Sequence, residues 1–206
     1  MSFIFTDEEY EVAKRSVALT EENFAAERAK LTAAGYTEEA QKMLQTAGYT
    51  RLQMQKEDIE IYENLKSGKL PESFEILRLP RMLTCMRIAS GLSREQLAER
   101  LHQNPKALAS GEYNEYHGVS SRWVQAVINV LPVNVTIIAE DSNTGEELKR
   151  GEVGELRNIV ESLRQVSVAK DQEEDYHGQY GISMGYAVLV AGRLKVNLTV
   201  KLSLTK

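Results

Sequence analysis

Residues 91–101 read Gly91-Leu92-Ser93-Arg94-Glu95-Gln96-Leu97-Ala98-Glu99-Arg100-Leu101. Ser93 is placed to cap a helix. Gln96, three residues on, completes the pattern in which the cap and the third helical residue satisfy each other's backbone amides. Leu92, Leu97 and Leu101 set a helical apolar rhythm, and Ala98 is small enough for a second helix to pack close. Asn104 follows as a second cap, with Pro105 in the favoured first helical position. Two short helices joined by a tight turn are the arrangement that lays one helix in a DNA major groove.

Working outward, the apolar spacing predicts helices over about 77–89, 93–101, 104–110 and 120–131. The last carries Trp123, Val124, Val127, Ile128 and Leu131 as a core-closing face. Upstream, Tyr10, Val12, Ala13, Val17, Phe24 and Leu31 fall on one side of a helix. Leu52, Ile59, Tyr62 and Leu65 mark another. Two Ala-Gly-Tyr-Thr copies, at 34–37 and 47–50, read as two helix ends, each stopped by its glycine, Gly35 and Gly48. Ser67-Gly68-Lys69-Leu70-Pro71 reads as a link. Downstream, β-branched 133–139 predicts a strand, 141–145 a turn and 151–166 a helix. The polar stretch 171–181 predicts a loop. Residues 182–190 and 194–204 read as an antiparallel pair joined around Ala191-Gly192-Arg193. Val196, Leu198, Val200, Leu202 and Leu204 alternate with Lys195, Asn197, Thr199, Lys201 and Ser203, so the last strand has one buried and one wet face. A long strand at that point is a natural dimer edge.

The chain has 206 residues, 42% of them hydrophobic, and a net charge of −5. It is long enough for one large or two small domains and too apolar for general disorder. No apolar run is long enough to span a bilayer. Met1-Ser2-Phe3-Ile4-Phe5 runs straight into Asp7, Glu8 and Glu9, unlike a signal peptide. With one cysteine, Cys85, there is no disulfide framework, and a buried thiol is the expectation. These features predict a cytoplasmic protein that does not enter membranes. The charge is unevenly spread: residues 1–76 carry a net −6, residues 77–135 a net +3 and residues 136–206 a net −2. Only the segment with the paired short helices is basic, the asymmetry expected of a DNA-reading module between acidic neighbours.

From Leu79 to Val135 the chain resembles the Cro-like (phage-repressor type) helix-turn-helix domains. The matching elements are Gly91-Leu92-Ser93, Gln96-Leu97-Ala98, Leu101, Leu108, Glu112 and the closing helix from Ser121 to Leu131. The phrase Glu112-Tyr113-Asn114-Glu115-Tyr116-His117-Gly118-Val119-Ser120 is similar to the linker of a subfamily of antitoxin-like regulators that carry a helical N-terminal arm. The chain departs from the pattern at four places. His102 stands where the turn usually has glycine, Gln103 replaces a buried aliphatic, Ser110 stands where Arg or Lys often meets DNA, and Gly111 stands where a core residue is usual. The expectation is an α+β protein: a helical arm over 1–76, a Cro-like helix-turn-helix bundle over 77–132, and a small C-terminal α+β domain over 133–206 ending in a β-hairpin.

The groups expected to face DNA are Asn104, Lys106 and Ser110 from the recognition helix, Arg94 from the helix before it, Gln103 from the turn and Arg122 from the closing helix. Asn can bond adenine in two places, Lys can bond guanine or phosphate, and Arg can hold a phosphate. Asn104 reads equally as a helix cap alone, and Arg94 and Arg122 as solvated surface charges. No phosphate-binding glycine loop or Gly-x-Ser-x-Gly elbow exists. His102, His117 and His177 are scattered, so no zinc site, metal or cofactor is expected. Asp171, Glu173, Glu174 and Asp175 read as a solvated acidic loop. The reading is a homodimeric, double-stranded-DNA-binding transcriptional regulator, a repressor and not an enzyme, with the C-terminal part for dimerisation or an effector near Tyr180 and Tyr186. The alternative is a protein-interaction module, an antitoxin or assembly adaptor, that keeps the helix-turn-helix as a scaffold.

Overall fold

Thr6 and Thr37 each accept a backbone amide in the first turn of a long helix, and acidic residues follow both caps, where the helix dipole favours them. These start α1 (Asp7–Ala33) and α2 (Glu38–Lys66). The computed structural model describes residues 3–166 and 184–204, so the expected 171–181 loop and acidic cluster, His177 and Tyr180 lie outside the described residues. The chain divides into two compact units, Met1–Ser67 and Gly68–Lys206, with the break inside the link read from Ser67-Gly68.

In the first unit α1 and α2 form an antiparallel pair. Gly35 ends α1 with φ +81°: its amide bonds the Thr32 carbonyl while the Tyr36 amide reaches back to Leu31, the double closure that favours glycine. Gly48 does not end a helix. It lies inside α2, where an added Cβ would sit 2.9 Å from Phe24 Cε1 and closer still to Cζ. The glycine makes room for the Phe24 ring, which stacks on Tyr49 at 5.0 Å.

Among the described residues the second unit is built from α3 (Leu79–Ala89), α4 (Arg94–Arg100), α5 (Pro105–Tyr113), α6 (Ser121–Val130), α7 (Leu156–Val166), α8 (Met184–Arg193) and four strands. The strands are β1 (Ser73–Glu75), β2 (Val133–Asp141), β3 (Glu147–Glu152) and β4 (Val196–Leu204). They form one antiparallel sheet in the order β1-β4-β2-β3. The protein is α+β with an N-terminal helical region. Among the described residues one core runs through the second unit, from Leu83, Met86, Leu97, Val124 and Val127 of the helices to Ile137 and Val200 of the sheet and Leu156 and Ala191 beyond it. The expected division at 132/133 therefore does not separate two cores, and β1, from the expected arm, belongs to the sheet.

The expected C-terminal hairpin is corrected. Residues 184–193 form α8, which lies against β4. Ala187, Val190 and Ala191 are buried while Leu189 is 51% exposed, the i, i+3, i+4 spacing of a helix whose small side chains let it sit on a sheet. A short apolar run carries too little periodicity to separate the two states before packing decides. β4 does alternate as read, with Val196, Leu198 and Val200 buried. Its partners are β2 along the whole strand and β1, so it is a central strand, not a dimer edge. The actual hairpin joins β2 to β3 through the 141–145 turn, where Asp141 accepts the amides of Asn143 and Thr144 at 2.8 and 2.9 Å. Those two amides hold the Asp141 carboxyl below its ordinary pKa. β3 went unread because Glu-Leu-Lys-Arg-Gly-Glu has no apolar alternation; its ladder with β2 makes it a strand.

α4 ends in the same double closure as α1, with the His102 amide on Glu99 and the Gln103 amide on Ala98. Its left-handed residue is His102 at φ +51°, where a side chain is strained by about 1–2 kcal/mol. Set against glycine's greater loss of chain entropy, His102→Gly is expected to stabilise the second unit by roughly 0.5–1 kcal/mol, read as a higher urea midpoint at unchanged slope.

Candidate nucleic-acid interface

The α4–turn–α5 unit is held by its caps. Ser93 Oγ accepts the Gln96 amide at 3.2 Å and Gln96 Oε1 accepts the Ser93 amide at 2.8 Å. Asn104 Oδ1 accepts the Lys106 amide at 2.9 Å, so Asn104 is a working helix cap and its carbonyl oxygen is engaged there. Leu97 and Ala98 of α4 and Leu108 and Glu112 of α5 turn inward. By the 3.6-residue period, Lys106, Ser110 and Tyr113 then share the opposite side of α5. All three are exposed, as are Gln103 and Asn104. Arg122 is exposed in the first turn of α6.

Arg94 leaves the set. Its side chain is 10% exposed and its Nε donates to Glu112 Oε2 at 2.6 Å, while the guanidinium lies 4.8 Å from the Tyr113 ring centre. Glu112 is fully buried and also takes Nε and Nη2 of Arg87 at 2.5 and 3.0 Å. Arg87 Nη1 reaches the Leu92 carbonyl at 2.9 Å. One carboxylate thus ties α3, the start of α4 and α5 into a single block. Sequence reading placed Arg94 on the surface because its partner is 18 residues away.

This triad thins the surface charge. Of the seven cations between 77 and 135, Arg87 and Arg94 turn inward. Arg81 faces Glu115 at 3.8 Å, and Arg100 donates to the Val130 carbonyl at 3.0 Å. Arg78, Lys106 and Arg122 are exposed and have no ion-pair partner among the described residues. The sequence reading missed Tyr113, which is 58% exposed. The signal for it was there, seven residues from Lys106 and three from Ser110 on one helix.

Gly111 has a packing reason. A Cβ there would come within 2.8 Å of Tyr116 Cδ1 and closer to Cε1. Tyr116 is buried, with its ring centre 4.7 Å from that of Trp123, and its amide bonds the Gly111 carbonyl at 2.7 Å. Gly111→Ala is expected to destabilise the second unit by about 1–3 kcal/mol, because ring and loop must move together. Trp123 fluorescence during urea unfolding reads both the stability and the displaced ring.

Among the described residues no group of three or more His, Cys, Asp or Glu is placed to hold a metal, and no helix is long and apolar enough to cross a membrane. Cys85 is buried, and burial pushes its thiol up to about 11, which removes it as a nucleophile at neutral pH. A groove of about 380 Å³ runs beside β4, lined by Ile76, Val188, Ala191, Val196 and Leu198 with Glu75 at its side. No protein-family model, no curated protein and no solved structure matches the chain.

Proposed function

We propose that the protein is a DNA-binding transcriptional regulator, a repressor acting in the cytoplasm, which reads the major groove with α5. The observation that carries this reading is the exposed strip of Lys106, Ser110 and Tyr113 on a helix whose other side is locked by Glu112 to α3 and α4. A helix held this way offers polar and cationic groups on a rigid support, which base and phosphate contacts need. Gln103 and Asn104 flank the strip at its start, and Arg122 adds a cation from α6. A homodimer would set two such helices into successive major grooves, about 34 Å apart.

The test is fluorescence anisotropy of the full chain with a duplex from upstream of its own gene and an unrelated duplex, each at two salt concentrations. The reading expects tight binding to the first duplex only, weakened as salt rises. Absence of binding to both duplexes at low salt overturns it. That result would favour the second reading, a protein-interaction module using the helix-turn-helix as scaffold. What favours this alternative is charge: α5 itself carries one cation, Lys106, and the chain as a whole is acidic.

A further inference from the structure

Asn104 is engaged before any DNA arrives. Its Oδ1 accepts the Lys106 amide at 2.9 Å, so its carboxamide has only Nδ2 left to donate outward. A two-point bond from Asn to adenine needs a donor for N7 and an acceptor for the N6 amino group. Here the acceptor lies against the end of the helix, and turning it to a base edge would break the cap. The adenine contact expected from the sequence is therefore closed to Asn104 while α5 keeps its start.

The backbone offers no substitute. Pro105 has no amide, the Lys106 amide is on the cap, and the Ala107 and Leu108 amides bond the Asn104 carbonyl at 3.0 and 3.1 Å. What remains in the first turn of α5 is two side-chain donors, Asn104 Nδ2 and Lys106 Nζ. Both side chains are exposed. Gln103, one residue earlier, carries a donor and an acceptor and so selects no base by itself.

Two donors fit two acceptors. In the major groove guanine alone presents two acceptors on one base edge, N7 and O6. Adenine sets an amino donor beside its N7, cytosine shows a donor, and thymine shows one acceptor beside a methyl group. A phosphate also presents acceptors only. A helix that enters the major groove brings its first residues to base edges, which favours guanine over phosphate for this pair.

We propose that α5 selects guanine in its DNA site, with N7 and O6 accepting from Asn104 Nδ2 and Lys106 Nζ. The inference rests on the reading of α5 as the helix that enters the major groove, and it says which base that helix seeks.

The test is selection of duplexes from a randomised pool by the full chain, followed by anisotropy on the enriched duplex. A guanine is expected at a fixed position. Replacing it with 7-deazaguanine, which lacks the N7 acceptor, is expected to lower affinity at least about fivefold. Asn104→Asp keeps the capping oxygen and exchanges the outward donor for an acceptor. It is expected to leave the urea midpoint unchanged. It is also expected to enrich cytosine where the unaltered chain enriches guanine, because a carboxylate accepts from the cytosine amino group. Adenine at that position, or an unchanged base preference in Asn104→Asp, would overturn the inference and leave the DNA reading standing. So would full affinity for the 7-deazaguanine duplex, which would give the two donors to a phosphate. Failure to enrich any sequence would overturn the reading and the inference together.

Discussion

Glu112→Gln is expected to destabilise the second unit by about 3–5 kcal/mol, as much as a large cavity in the core. The glutamine keeps the shape but removes the carboxylate charge that Arg87 and Arg94 share, with their side chains 3% and 10% exposed. Two guanidinium groups would then face a neutral amide out of water where a carboxylate had been, and they cannot neutralise by losing a proton. Urea unfolding followed by the fluorescence of Trp123 measures the effect, since α6 belongs to the same core. An apolar replacement of all three charged groups is expected to cost less than the single change, because nothing is left unpaired. A loss below about 1 kcal/mol for Glu112→Gln would show that water reaches the triad and that the block joining α3, α4 and α5 is held by apolar packing alone. The same experiment bears on function, because Glu112 fixes which side of α5 turns outward.

Lys106→Glu is expected to lower affinity for the specific duplex by at least about tenfold at low salt, and to flatten the dependence of log affinity on log salt by about one unit. Lys106 is in the first turn of α5, exposed and without an ion-pair partner among the described residues. Charge reversal there loses a phosphate or guanine contact and adds repulsion. Stability should not change, because the Asn104 cap bonds the Lys106 backbone amide rather than its side chain. Unchanged affinity, measured by anisotropy with the fold intact, would remove α5 from the interface and with it the reading of this protein as a regulator that enters the major groove.

The two changes also separate what could be read along the chain from what could not. The caps at Ser93 and Asn104 were legible because a cap acts over two or three residues, and the spacing that makes it work is the spacing in the sequence. The same holds for the alternation of β4, where burial on one face of a sheet imposes a period of two. Arg94 was misplaced because a guanidinium in the first turn of a short helix looks solvated until Glu112, 18 residues on, arrives from another helix. Gly48 looked like a stop because the Phe24 ring that needs its space belongs to the other helix of the pair. Gly111 stood where a core residue is usual, and the Tyr116 ring that fills that space comes from beyond the end of α5.

The sequence by itself determined the local decisions: where α4, α5 and α6 begin, that β2 and β4 are strands, and that 141–145 turns. Each of these rests on interactions within a few residues or on a period that burial imposes along one element. Tertiary structure alone decided that α8 is a helix, that β1 and β3 exist, that β4 is central rather than an edge, and that Arg94 faces inward. In each case the deciding partner lies far along the chain, and the local free-energy difference between the alternatives is smaller than the packing or ion-pair energy that the partner brings.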